Sequence, residues 1–82
     1  MPYIFTASRE QVLQDRKPAT CGELNFLITT LCIEYATRGG ALNYARINDT
    51  IGALESAKLE FYRRLVAPYE DTKIAENGDV YP

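Results

Sequence analysis

The sequence feature that most constrains the fold is the stretch 43–66, in which one helical period continues without interruption. Side chains three or four residues apart lie on the same face of an α-helix. The apolar residues of this stretch form such a stripe and its shoulder: Ile47, Ile51, Leu54, Phe61, Leu65, Tyr44, Leu59, Tyr62 and Val66. We therefore predict an all-α protein, a small helical domain built on one long central helix.

Three polar residues, Asn48, Glu55 and Lys58, fall within the apolar sector of this long helix. A charged side chain that is buried without a partner costs several kcal/mol. We therefore expect Glu55 and Lys58 to be largely buried and hydrogen-bonded, either to each other or to the C-terminal tail and a neighbouring subunit. Two roles fit this pair: a structural ion pair, or part of a ligand site.

Capping signals place the helix that precedes the long one. Thr20 with Glu23 three residues later is a capping box, and it predicts a helix that runs to Arg38 and stops at the glycine pair 39–40. Asn43 is the predicted N-cap of the long helix. Because the connection is short, we expect the two helices to pack antiparallel, with the apolar stripe of the first facing inward: Leu24, Leu27, Ile28, Leu31, Cys32 and Tyr35.

Short helices are predicted at both ends of the chain. Ser8 with Gln11 three residues later is a weaker capping box, which opens a helix of about two turns. Pro68 should break or sharply kink the long helix, because proline lacks a backbone N–H and pushes the preceding residue out of helical geometry. A last helix then covers 69–76. We predict a single helical domain, 1–82, with an N-terminal arm, 1–6, and a C-terminal tail, 78–82.

Two features predict that the chain forms a homo-oligomer. Phe26 and Ile33 point away from the inner stripe of their helix, which is typical of a subunit contact. Gly52 lies inside the long helix, where glycine costs about 1 kcal/mol relative to alanine. Its small neighbours suit a close crossing against the preceding helix or a second copy.

Composition excludes several classes of function. The 82 residues carry a formal net charge of -2 and include no histidine, so imidazole zinc sites and histidine-dependent catalysis are excluded. The acidic balance argues against duplex nucleic acid as a partner. No apolar run reaches the roughly 18 residues that span a bilayer, and no secretory signal is recognised. We expect a cytoplasmic protein that is not an enzyme and has no metal and no cofactor.

The residues best suited to a binding site are cationic and aromatic side chains near the end of the long helix. Arginine forks grip phosphate, lysine adds a point charge, and a tyrosine ring stacks on a nucleobase. The candidate ligand-binding residues are Asn48, Glu55, Lys58, Tyr62, Arg63 and Arg64, with Asn77 and Asp79 of the tail. The alternative is a solvated face on which the arginines pair with Glu60, Glu70 or Asp71.

Five strings of the sequence resemble a family of small uncharacterised proteins of tailed bacteriophages. They are GELN (22–25), LCIEY (31–35), INDTIGALESAKLEFYRR (47–64), APYED (67–71) and NGDVY (77–81). The resemblance implies a phage protein acting in the host cytoplasm, and it assigns no activity. In shape and genome context the chain is also similar to oligomeric phage proteins that trap cyclic nucleotide signals of bacterial immunity, without a motif that maps residue by residue.

Two functional hypotheses follow from these observations. In the first, the chain is a non-enzymatic phage-type binding protein that sequesters an anionic host-defence signal, a nucleotide or cyclic nucleotide, as a homo-oligomer. In the second, it is a protein–protein interaction or assembly module that binds a host or phage protein and has no small-molecule ligand. The apolar faces support both hypotheses, and the cationic residues support the first.

Overall fold

The structure is a computed structural model, and it describes residues 5–81. In chain order its helices are α1 (Thr6–Asp15), α2 (Cys21–Thr37), α3 (Tyr44–Phe61), a π-helical segment (Tyr62–Val66) and α4 (Ala67–Asn77). No strand occurs among the described residues, so the all-α prediction is confirmed. The chain divides into two compact units, one up to Ile47 and one from Asn48.

The N-terminus of α2 forms as its capping box predicts. Thr20 is the N-cap, and its Oγ1 accepts a hydrogen bond from the Glu23 N–H at 3.1 Å. The Glu23 carboxylate accepts in turn from the backbone N–H of Ala19 at 3.0 Å. The Glu23 N–H of the first turn and the Ala19 N–H just before the N-cap are thus both satisfied, which fixes where α2 begins.

The end of α2 is tied to the beginning of α3 within the first unit. Arg46 donates from its guanidinium to the carbonyl oxygen of Tyr35 at 3.1 Å and lies 4.8 Å from the centre of the Tyr35 ring. The predicted cap of α3 is confirmed, since Asn43 Oδ1 accepts from the Arg46 N–H at 2.9 Å. One arginine therefore joins a C-terminal carbonyl of α2, where a cation is favoured, to the first turn of α3.

α1 differs from its predicted form. It begins at Thr6 after Phe5, so Ser8 lies inside the helix and the capping box predicted there is wrong. Only residues 1–4 of the predicted arm lie outside the described residues, and Thr6 is already helical. Val12 is 4% exposed and is the buried residue of α1, the helix that contacts α2.

The burial of α2 follows the predicted inner stripe only in part. Phe26 and Leu27 are half-buried, whereas Leu24 and Leu31 of the predicted inner stripe are exposed. Phe26, predicted to face away from the inner stripe, is half-buried, and Ile33 is exposed. The physical reason is that α2 packs against α1, a neighbour whose position the helical period alone does not specify.

The chain remains helical through Pro68. Ala67 has φ -60° and ψ -47°, so the predicted departure of this residue from helical geometry is wrong. The helical hydrogen bonding changes just before the proline instead, as the π-helical segment. A π turn takes one extra residue, which relieves the clash between the Pro68 ring and the carbonyl of Arg64. α4 ends at Asn77, and Gly78 adopts φ +85°, a conformation that favours glycine.

Candidate functional site

Glu55 and Lys58 form an ion pair on the surface of α3. Lys58 Nζ lies 3.0 Å from Glu55 Oε1, and the two side chains are 68% and 58% exposed. The predicted pairing is therefore present within the chain, but the predicted burial is wrong. Burial of these charges required a second surface against α3, and no residue of α3 is buried.

Two arginines share one carboxylate at the end of the long helix. Arg63 Nη2 lies 2.8 Å from one oxygen of Glu60, and Arg64 Nε lies 2.6 Å from the other. Surface pairs of this kind contribute little to stability because water screens them. The two guanidinium groups keep a net positive charge after pairing, and their side chains stay largely exposed.

Tyr62 is joined to α4 through its hydroxyl group. The Tyr62 O–H donates to Glu70 Oε1 at 2.9 Å. Residues eight apart lie 80° apart around an ideal α-helix, but the extra residue of the π-helical segment brings them to the same face. The hydrogen bond to the Glu70 carboxylate, followed by its negative charge, raises the pKa of Tyr62 above its ordinary value.

We expect the tyrosine titration of the protein to show this contact. The stabilisation from the Tyr62–Glu70 bond is present below the ordinary tyrosine pKa of about 10 and is lost as the pH rises through the raised value. The difference between the tyrosinate absorbance of wild type and Tyr62→Phe isolates Tyr62, and its midpoint should lie above about 10.

Glu70→Gln is the matched control for this titration, because it removes the charge and keeps the size of the side chain. The midpoint of Tyr62 should then fall toward its ordinary value. A difference titration with its midpoint at or below about 10 in the wild type would contradict the contact.

The two tail residues of the candidate site lie elsewhere in the second unit. Asn77 and Asp79 line a pocket of about 370 Å³ beside α4, together with Glu70, Lys73, Ile74, Gly78, Val80 and Tyr81. The Asp79 carboxylate accepts a hydrogen bond from the Tyr81 N–H at 3.0 Å. The tail thus lies beside α4 and is held by a hydrogen bond within itself. The partners of Lys58 and Arg64 are Glu55 and Glu60, which belong to α3 and not to the tail.

The structure brings together only part of the predicted site. Lys58, Arg63 and Arg64 follow one another along one helical run, Asn48 is exposed near the start of α3, and Asn77 and Asp79 line the C-terminal pocket. Glu70, the partner of Tyr62, was not predicted as a site residue. The signal available in the sequence was the proline six residues after Tyr62, which makes an extra residue in the helix favourable.

A second pocket lies within the first unit, between α1 and α2. Its volume is about 160 Å³, and it is lined by Leu13, Arg16, Leu27, Thr30, Leu31 and Glu34. Among residues 5–81, no group of three or more cysteine and acidic side chains is placed to hold a metal ion. In the same part of the chain, no helix combines the length and the apolar character needed to cross a membrane.

A family model with the description "Domain of unknown function (DUF6899)" matches residues 1–80, which is nearly the whole chain. No curated protein and no solved structure matches the chain.

Proposed function

Because the chain belongs to the DUF6899 family, described as a domain of unknown function, we propose a function from its own surfaces: a non-enzymatic, cytoplasmic protein that assembles with copies of itself. The observation that carries this proposal is the exposed apolar side of the helical run 44–77. Ile51 is 63% exposed and Leu65 is 60% exposed, and no residue of α3, the π-helical segment or α4 is buried.

An unpartnered apolar helix is a weak structure in water. Most helical stability in proteins comes from packing an apolar face, and burying one large aliphatic or aromatic side chain contributes about 1.5–3 kcal/mol. In residues 5–81 the buried apolar residues are Val12 and Ala36, both in the first unit. A second copy would supply the apolar surface that α3 lacks.

The mass of the protein in solution tests self-assembly. Light scattering across micromolar concentrations should give a multiple of the 9.3 kDa chain mass. The thermal midpoint should rise with concentration, because association stabilises the folded state by mass action. A mass near 9.3 kDa with a midpoint independent of concentration would overturn the proposal.

A second candidate function is favoured by the two arginines on one carboxylate. We propose that an assembled protein of phage origin uses Arg63 and Arg64, with Lys58 and the Tyr62 ring nearby, to hold a nucleotide or cyclic nucleotide. Its function would be anti-defence, the sequestration of a host signal. The support is chemical: guanidinium groups bind phosphate through paired hydrogen bonds, and Glu60 leaves part of their charge uncompensated.

Thermal melting with linear and cyclic nucleotides tests this second candidate. A bound ligand should raise the midpoint in proportion to the logarithm of its concentration above Kd. Arg63→Gln with Arg64→Gln should remove that shift. The matched control is Lys73→Gln, which removes another surface cation, paired with Glu76 at 3.4 Å, and should retain it. Two results would contradict nucleotide binding at this site: equal midpoint shifts in the double arginine variant and in Lys73→Gln, or no midpoint shift in the wild type. Self-assembly would then be the remaining proposed function.

A further inference from the structure

Six positions of α3 follow the spacing of a coiled-coil seam. Successive positions are alternately three and four residues apart, which is the heptad pattern that places them along one line facing a partner helix. The α3 seam consists of Tyr44, Ile47, Ile51, Leu54, Lys58 and Phe61. All six are exposed in the chain, and five of them are apolar. Gly52 lies on the other side of α3, so the seam does not use it.

We propose that the α3 seam packs against the same seam of a second copy, antiparallel and aligned end to end. Tyr44 then faces Phe61 of the second copy, and Ile51 faces its Leu54. Lys58 faces its Ile47, next to its Asn48. This inference rests on the proposed self-assembly and specifies the surface, orientation and register of the contact.

Lys58 selects this orientation. In a parallel pair in register, a seam residue faces its own copy, so two ammonium groups would meet inside an apolar seam. In the antiparallel pair the two Lys58 positions are about 11 residues apart along the seam, about 16 Å, because a helix rises about 1.5 Å per residue. A single lysine at such a position commonly specifies register and oligomer state in coiled coils.

The antiparallel arrangement also gives the polar residues of α3 a shared role. Lys58 is already 3.0 Å from Glu55 on its own helix. The facing Asn48 of the second copy brings an amide, which accepts from an ammonium group through its oxygen and donates to a carboxylate through its nitrogen. The three polar side chains that interrupt the apolar sector thus form one cluster, repeated twice by symmetry. The second copy completes a site that one chain leaves open.

Disulfide trapping tests the register in the full chain. Cys21 and Cys32 are replaced by serine, and Tyr44→Cys and Phe61→Cys are made as separate variants, one with a mass tag. A disulfide requires Cα atoms within about 7 Å. In an antiparallel pair of Tyr44→Cys chains, the two introduced thiols would be about 17 residues apart, about 26 Å along the axis. After co-refolding and mild oxidation, we expect a disulfide between the two variants and none within either variant alone.

Each result has a defined meaning. Self-crosslinking of Tyr44→Cys would show a parallel pair and overturn the inference, as would an oligomer by light scattering that forms no disulfide in the mixture. Monomeric chains by light scattering would overturn the proposed assembly itself. Ile51→Cys mixed with Leu54→Cys gives a second pair, which tests whether the two seams face each other if the terminal variants fold poorly; the two positions are about 4.5 Å apart along the axis, so only the terminal pair reports orientation. Ser56→Cys, on the opposite side of α3, is the control and should form no disulfide with any of them.

The orientation role of Lys58 has its own measurement. In a Lys58→Leu background the charge that disfavours the parallel pair is gone, so Tyr44→Cys should begin to crosslink with itself. An unchanged crosslinking pattern in that background would show that Lys58 does not set the orientation.

Discussion

Replacing Leu54 with aspartate is expected to convert the assembled protein into monomers. Leu54 lies at the middle of the α3 seam and is 40% exposed in the single chain. In the assembled state it would bury one carboxylate per copy, at a cost of roughly 4 kcal/mol or more for the pair. That cost corresponds to about a thousandfold weaker association.

The measurement for Leu54→Asp is light scattering together with thermal melting at several concentrations. Ser56→Asp is the matched control, since it places the same charge on the opposite side of α3 and should leave the mass unchanged. If Leu54→Asp keeps the wild-type mass while the control is also silent, the surface that holds the copies together lies away from the α3 seam.

The second large effect is expected from Pro68→Ala. Proline inside a helix costs about 3 kcal/mol relative to alanine, because it lacks an N–H and its ring meets the carbonyl four residues earlier. The π-helical segment Tyr62–Val66 accommodates that ring. With alanine the run can return to regular α-helix, and we expect the protein to gain about 1–3 kcal/mol of stability.

The same substitution should disconnect Tyr62 from Glu70. Loss of the extra residue in the helical turn moves the two side chains about 80° apart, so their 2.9 Å hydrogen bond breaks and the pKa of Tyr62 falls toward its ordinary value. Pro18→Ala is the control, because Pro18 lies between helices, so its replacement should not raise stability and should leave the titration of Tyr62 unchanged. A Pro68→Ala protein with unchanged stability and an unchanged Tyr62 titration would show that the proline does not cause the π-helical segment.

The helix ends could be predicted where short-range chemistry decides them. Thr20 and Asn43 cap their helices in the structure because each side chain satisfies an N–H three residues later, a geometry fixed by local sequence. Pro68 shows the limit of this reasoning. The steric rule predicts a disturbance at a proline, but an extra residue in the turn and a full break are alternative ways to relieve it, and only the three-dimensional packing selects between them.

The candidate site was predicted in part for a similar reason. The Glu55–Lys58 ion pair follows from residues three apart on a helix, so it could be predicted from spacing. The burial of this pair could not be predicted from spacing, because it depends on which surface covers α3. The partial burial of Phe26 could not be predicted for the same reason, since the helical period identifies apolar sides of α2 but not the side on which α1 lies.

The contacts between elements also affect how quickly the native protein can form. α1 contacts α2, and the π-helical segment contacts α4, so each contact joins elements that follow one another in sequence. Chains with local contacts fold in microseconds to milliseconds, and helices themselves form faster still. Each chain should therefore complete its own contacts quickly, whereas α3, which has no buried residue, would gain its packing only when two copies meet. The slow step toward the native state would then be the encounter of copies, which makes the time to maturity depend on how much protein the cell has already produced.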